Sequence, residues 1–228
     1  MKLLLFALLI IPVKTFAYEV PDITKWQNLT LQLINISRSE TGLTPVRMDS
    51  YLNQISQNHA EDTAINFDNT SDETRRNTYL SHTSSNGDEF SDRIQNEKIM
   101  SAGENVGFYY QIPFSPAEES MDKAINLMHS SMMAEIPPDD GHKKTILGDY
   151  THVGIGLELH REISSESNAI FLVTDFGKYK ADALSQSSQP QLTKTNRWSE
   201  RIRERQEKRR SAWRDRFEER VRRRIKNR

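Results

Sequence analysis

Cysteine is absent from all 228 residues. That excludes a disulfide framework, thiolate zinc ligation and a cysteine nucleophile. Long apolar runs are scarce as well. After the stretch from Leu3 to Val13, nothing approaches the ~18 residues that a membrane-spanning helix needs. The HExxH zinc helix, the Walker phosphate loop and the dinucleotide glycine fingerprint are all missing, and there is no internal repeat. What remains is a chain that is 36% hydrophobic and 28% charged. Its length suits one domain of ordinary size with appendages. The mean hydropathy of −0.72 is low for a packed domain, so some stretch is unusually polar.

The formal net charge of −1 averages two unlike parts. Residues 191–228 hold 16 Lys+Arg against 6 Asp+Glu, whereas residues 1–190 hold 15 against 26. Such asymmetry describes an acidic domain carrying a basic interaction arm. At the other end, Lys2, the apolar run and Thr15-Phe16-Ala17 form the three-part pattern of a secretory signal peptide over residues 1–17. The competing reading is an uncleaved anchor. The expectation is cleavage near Ala17 and a mature chain that works outside the cytoplasm, in periplasm or medium.

Residues 24–38 carry Trp26, Leu29, Leu33 and Ile36 at a helical period, with Gly42 and Pro45 closing the helix. A second helix should start at Asp49, with Leu52, Ile55, His59 and Thr63 on one side. Residues 67–78 are polar and turn-rich, and a short helix should follow Gly87, carrying Phe90 and Ile94 inward. Gly103 and Gly107 within residues 99–110 predict a close backbone approach or a bulge in place of a regular element. Residues 117–133 set Met121, Ala124, Ile125, Met128 and Met132 on one helical stripe, and Pro137-Pro138 forbids regular structure beyond it. Alternation of Val153, Ile155, Leu157 and Leu159 predicts a strand over 152–160, joined as a hairpin to another over 169–176. Helices first and strands last argue for an α+β layered fold with an antiparallel sheet. Residues 181–196, rich in Ser, Gln and Thr, read as a flexible linker.

Four polar segments stand out, each placing a His or Glu beside a glycine, a helix end or a turn. They contain His82, Glu104, Glu135 and His142. Two imidazoles and two carboxylates that converge make a divalent-metal site or a set of general acids and bases. Taken singly, each is as readily a structural residue. Ser81 beside His82 does not make a nucleophile pair, because adjacent side chains rarely point together.

The order of these motifs resembles the CAP superfamily, the cysteine-rich secretory, antigen 5 and pathogenesis-related domain. The resemblance is carried by Leu31, Asn35, Arg38 and Gly42-Leu43, then Asp49 and Leu52, then Ser81-His82, Gly87 with Arg93, and Gly103-Glu104-Asn105. It continues through Gly141-His142 with Ile146-Leu147, His152-Val153-Gly154-Ile155-Gly156 and Thr174-x-Phe176-Gly177, covering roughly residues 24–180. It implies a three-layer α-β-α sandwich around a central antiparallel sheet. It also implies a cleft with a His/Glu/Glu/His tetrad that in several members holds Zn2+ or another divalent cation. Carried over, the tetrad is His82, Glu104, Glu135 and His142, with His152 as rival for the second histidine. Met132 stands where the family carries tryptophan ahead of the second glutamate. The lack of cysteine fits the bacterial branch. Arg38 and Asn35 are expected to staple the first helix, and Asn105 to fix the turn at Gly103–Gly107.

In residues 197–228, Trp198, Ile202, Trp213, Phe217, Val221 and Ile225 form a narrow apolar stripe on a largely arginine surface, an amphipathic basic helix. Its partner ranks first as an anionic envelope or membrane surface, then as the acidic domain or another helix, with nucleic acid last. The leading expectation is a secreted binding or envelope-associated module, its cleft taking an unknown ligand. The alternative is a metal-assisted hydrolase of peptide or cell-wall material, with His82 and His142 as ligands and Glu104 or Glu135 as general base.

Overall fold

The computed structural model describes residues 23–67, 80–112, 118–160 and 168–180. The expected signal peptide, linker and basic helix lie outside them. The described chain runs α1 (Thr24–Glu40), β1 (Arg47–Met48), α2 (Ser50–Phe67), α3 (Phe90–Arg93), β2 (Ile99–Ile112), α4 (Glu118–Met133), α5 (Gly141–Ile146), β3 (His152–His160) and β4 (Asn168–Tyr179). None of the described helices is long and apolar enough to cross a membrane.

The sheet has the order β1-β3-β4-β2. The β3–β4 hairpin and the β4–β2 pair are antiparallel, while the two-residue β1 joins β3 in parallel. So short a strand, just after Pro45, has no periodicity to betray it. Strand parity sorts the sheet's two faces. Val153, Ile155, Leu157, Ile170, Leu172 and Phe176 pack with Trp26 and Ile34 of α1 and the Met121–Met132 stripe of α4. On the other face, Ala169 and Phe171 pack with Ala64 and Phe67 of α2. The result is the α-β-α sandwich.

Two glycines set the α2 layer. A Cβ at Gly154 or Gly156 would meet the main chain of Leu52 or Ser56, so the helix lies directly on β3. Side chains from the helices finish the outer edge of β3 beyond β1. Ile155 N–H donates to Asn53 Oδ1 at 2.8 Å, and its carbonyl accepts from Gln27 Nε2 at 2.7 Å. Leu157 N–H and C=O both pair with the Gln57 amide, at 3.0 and 3.1 Å.

Several expectations need correction. Residues 99–110 lie in a regular strand, β2, with register shifts only near its ends. Its glycines answer to the layer above: a Cβ at Gly103 would stand 2.5 Å from the Tyr150 hydroxyl, and one at Gly107 2.8 Å from Met132 Cε. The close approach expected at these glycines is therefore present, but within a regular strand. Phe67 belongs to α2, as the helix runs on to bury its ring. Helix α1 is rotated from the expected stripe, so Thr30 and Ile34 face inward and Ile36 is exposed. Arg38 explains the rotation, since its guanidinium must point into the fold. It donates to the carbonyls of Thr44, Ile146, Gly148 and Tyr150, tying α1 to the chain that follows α5. Asn35 pairs with both main-chain groups of Val46. Both therefore staple more than their own helix.

Candidate functional site: a cleft astride the edge strand

Glu104 and Asn105 are neighbours on β2, so their side chains point to opposite faces of the sheet. Glu104 faces the α2 layer. One carboxylate oxygen accepts from His82 Nδ1 at 2.8 Å, and the other from Arg93 Nη2 at 2.5 Å. Asn105 faces the other layer and donates to the His142 carbonyl at 3.2 Å, while its Oδ1 is buried and meets no donor among the described residues. Asn105 thus fixes no turn within its own strand; it holds α5 against β2. Beyond α4, Glu135 accepts from His142 Nδ1 and from the His142 backbone N–H at 2.9 Å. A cleft of about 440 Å3 lies between the two pairs, lined also by Asp139, Gly141 and Thr145. A second groove of about 510 Å3 runs along the outer face of α1, and Glu40 is its only ionisable side chain. It offers no comparable chemistry.

The structure brings His82, Glu104, Glu135 and His142 to one cleft as two His–carboxylate pairs. His152 is elsewhere, at the start of β3, bonded to Thr151 Oγ1 and edge-on to the Tyr179 ring. It pairs in register with Arg47 and Gly177, away from the cleft. Met132, in the place of the family tryptophan, is buried beneath Gly107.

A carboxylate only accepts, so each imidazole donates through Nδ1, and in the neutral ring Nε2 is then the nitrogen with the lone pair. The His82 imidazole is raised above its ordinary value by the Glu104 hydrogen bond, more than its partial burial lowers it. Burial alone would raise the Glu104 carboxyl. The His82 bond and the charges of His59 and Arg93 outweigh it and hold the group below the usual carboxylate range. Glu135 is likewise lowered, burial being overcome by the His142 bond and charge and by two backbone N–H groups.

Three residues play parts in the site that the sequence did not reveal. Arg93 spreads its guanidinium over the His82 carbonyl, Ser84 Oγ, the Asp88 carbonyl and Glu104, so it fixes the His82 loop and the carboxylate together. His59 donates through Nε2 to the Ser81 carbonyl at 2.9 Å and accepts from Ser84 Oγ at 3.3 Å, while burial pushes it below its ordinary value. Asp175 stands opposite Glu104 across the β2–β4 pair and is wholly buried. It accepts from Ser56 Oγ at 2.9 Å, and among the described residues its Oδ1 meets no hydrogen-bond partner. Burial first, then the Glu104 charge, push its carboxyl well above the usual range. The available signal was a lone acid in an otherwise uncharged run, residues 169–177, that reads as a buried strand.

Residues 31–176 match the model of the cysteine-rich secretory protein family, CAP. The chain belongs to the CAP family. Among solved structures, an outer surface protein of Borrelia burgdorferi aligns at 18% identity over 70% of this chain and 97% of its own, with a TM-score of 0.47. The CAP domain of Enterococcal PrgA aligns at 22% identity over 75% of this chain and 67% of its own, with a TM-score of 0.41. A cysteine-rich secretory protein of Staphylococcus aureus aligns at 16% identity over 66% of this chain and 38% of its own, with a TM-score of 0.34. No curated protein matches the sequence.

Among the described residues of this CAP domain, no three His, Asp or Glu side chains converge closely enough to hold a metal ion. A four-ligand protein cage therefore does not fit. What fits is narrower. Two imidazoles, each aligned through Nδ1 by a carboxylate, are the arrangement in which the carboxylate orients a metal-binding histidine without ligating the metal itself.

Proposed function

We propose that this CAP-domain chain is an exported binding protein whose cleft presents His82 and His142 to a divalent cation and a bound ligand. The observation that carries this reading is the Nδ1 pairing of both imidazoles, His82 to Glu104 and His142 to Glu135, which leaves both Nε2 atoms for the cleft. A cation held there would supply a Lewis-acid centre with open positions. Neither glutamate is free to act as a base: Glu104 is claimed by Arg93 and His82, Glu135 by His142, and both carboxyls are lowered. That favours binding over the hydrolase reading.

Zinc titration by calorimetry on the full chain, beside a His82→Ala/His142→Ala double variant, tests the proposal. Binding lost in the variant is expected, and equal weak binding in both refutes the metal reading. Export through residues 1–17 and attachment of residues 197–228 to anionic surfaces belong to the same proposal, supported by the charge and apolar patterns of those segments. Co-sedimentation with phosphatidylglycerol vesicles that weakens with added salt is the expected result. Salt-independent or absent sedimentation counts against attachment.

A further inference from the structure

The two edges of the sheet are finished differently. Beyond β1, the outward groups of β3 are paired with the Asn53, Gln57 and Gln27 amides. Parity shows which β2 groups face outward. The Gly177 carbonyl turns toward β3, where it accepts from Thr151 N–H at 3.1 Å. The odd residues of β4 therefore bond to β3 and the even ones to β2, where Phe176, Thr174 and Leu172 stand opposite Gly103, Asn105 and Gly107. The main-chain groups of Ala102, Glu104, Val106 and Phe108 consequently point away from the sheet. Among the described residues, no donor or acceptor meets them. The cleft straddles this open edge, with the His82–Glu104 pair on one face of the sheet and Asn105, His142 and Glu135 on the other. Glu104 is 6% exposed as a residue but only 1% in its side chain, so the exposure it keeps is mainly main-chain.

We propose that the outer edge of β2 is a strand-addition site that takes an extended peptide carrying a basic side chain. Its backbone pairs with Glu104 and Val106 as it passes between the His82 and His142 imidazoles. The inference deepens the binding reading and does not depend on the metal. A row of N–H and C=O groups at strand spacing is complementary to another extended backbone, which supplies the same groups at the same repeat. No lysine or arginine lines the cleft, and Asp139, unlike the paired Glu104 and Glu135, has no ion-pair partner among the described residues, which favours a cationic side chain.

The test is residue-resolved amide hydrogen exchange by NMR on the full chain. The probe is a library of blocked hexapeptides with lysine fixed at one central position and the others degenerate. A second library, methylated on every backbone nitrogen, is the control. In the free chain, the Glu104 and Val106 amides should exchange faster than the inward Asn105 and Gly107 amides. The unmethylated library should slow Glu104 and Val106 at least tenfold, and the methylated library should leave them unchanged. The proposal is overturned if millimolar library protects neither amide, or if both libraries act equally. It is also overturned if the free chain already protects Glu104 and Val106 as well as Asn105, since the edge is then covered by the chain's own residues. Zinc titration of the same sample separates the two readings. Peptide protection without zinc binding removes only the metal, and zinc binding without protection removes only the strand site.

Discussion

Replacing Glu104 by Gln probes the charge at the centre of the site while keeping its shape. The carboxylate side chain is 1% exposed and bonded to Arg93, itself 6% exposed in its side chain, so the substitution leaves a buried guanidinium without its counter-charge. Breaking a buried ion pair costs about 3–5 kcal/mol. Two features reduce that here. The amide oxygen still accepts from Arg93, and removing the negative charge relieves Asp175 opposite. We expect a loss of about 2 kcal/mol at pH 7, read as a fall of roughly 4–8 °C in melting temperature for a domain of this size. The pH dependence has a definite sign. The folded Glu104 carboxyl lies below its unfolded value, so its stabilisation is present above the unfolded carboxylate range and lost as pH falls through the folded value. Wild type and variant should therefore converge in acid. The imidazole responds too, because the new amide would offer an N–H where Nδ1 needs an acceptor. His82 should lose its elevated protonation, and zinc affinity should drop about 10–100-fold. Urea unfolding at several pH values and zinc calorimetry measure both effects. Unchanged stability at pH 7, or a gap between the proteins that persists into acid, would refute the reasoning.

Two further substitutions test the surroundings of the site. Gly156→Ala drives a methyl into the Ser56 main chain, which no rotamer can relieve, so it should cost at least ~3 kcal/mol in urea unfolding, the top of the usual overpacking range. A loss below ~1 kcal/mol would mean that α2 does not rest on β3 as described. Asp175→Asn should be stabilising at neutral pH. The folded acid holds its proton well above the unfolded value, so wild type loses stability as pH rises past the unfolded carboxylate range, and a neutral amide escapes that loss. Unfolding midpoints at pH 4, 6 and 8 should show the advantage growing with pH, and parallel curves would contradict it.

Much of this fold could be read from residue order. The Met121–Met132 stripe of α4 was legible because one face of that helix is buried, and the Val153–Leu159 alternation of β3 because large apolar residues face α1 and α4 while glycines face α2. Helix α1 was legible in extent but not in rotation, since Arg38 turns inward to carbonyls more than a hundred residues away. The four cleft residues were visible through family resemblance, but their partnerships were not. Which glutamate holds which imidazole depends on Glu104 and Asn105 leaving β2 in opposite directions, and the glycines beside them had argued against a regular strand. His59, Arg93 and Asp175 were missed for a shared reason. Each is a single polar residue whose meaning comes from neighbours supplied by another element.

The contrast between the sheet's two edges also bears on how copies of this domain can meet. A sheet extends without limit only if both edges can accept a strand, as they do when β-structure polymerises. On the β3 side, Asn53, Gln57 and Gln27 already occupy the outward groups of Ile155 and Leu157. Two domains could join through their β2 edges, related by a twofold axis, but a third would find the middle of the β3 edge taken on either. Edge-to-edge association of this domain therefore favours a pair over a fibre. A domain can in this way keep one edge open for a ligand while limiting runaway stacking.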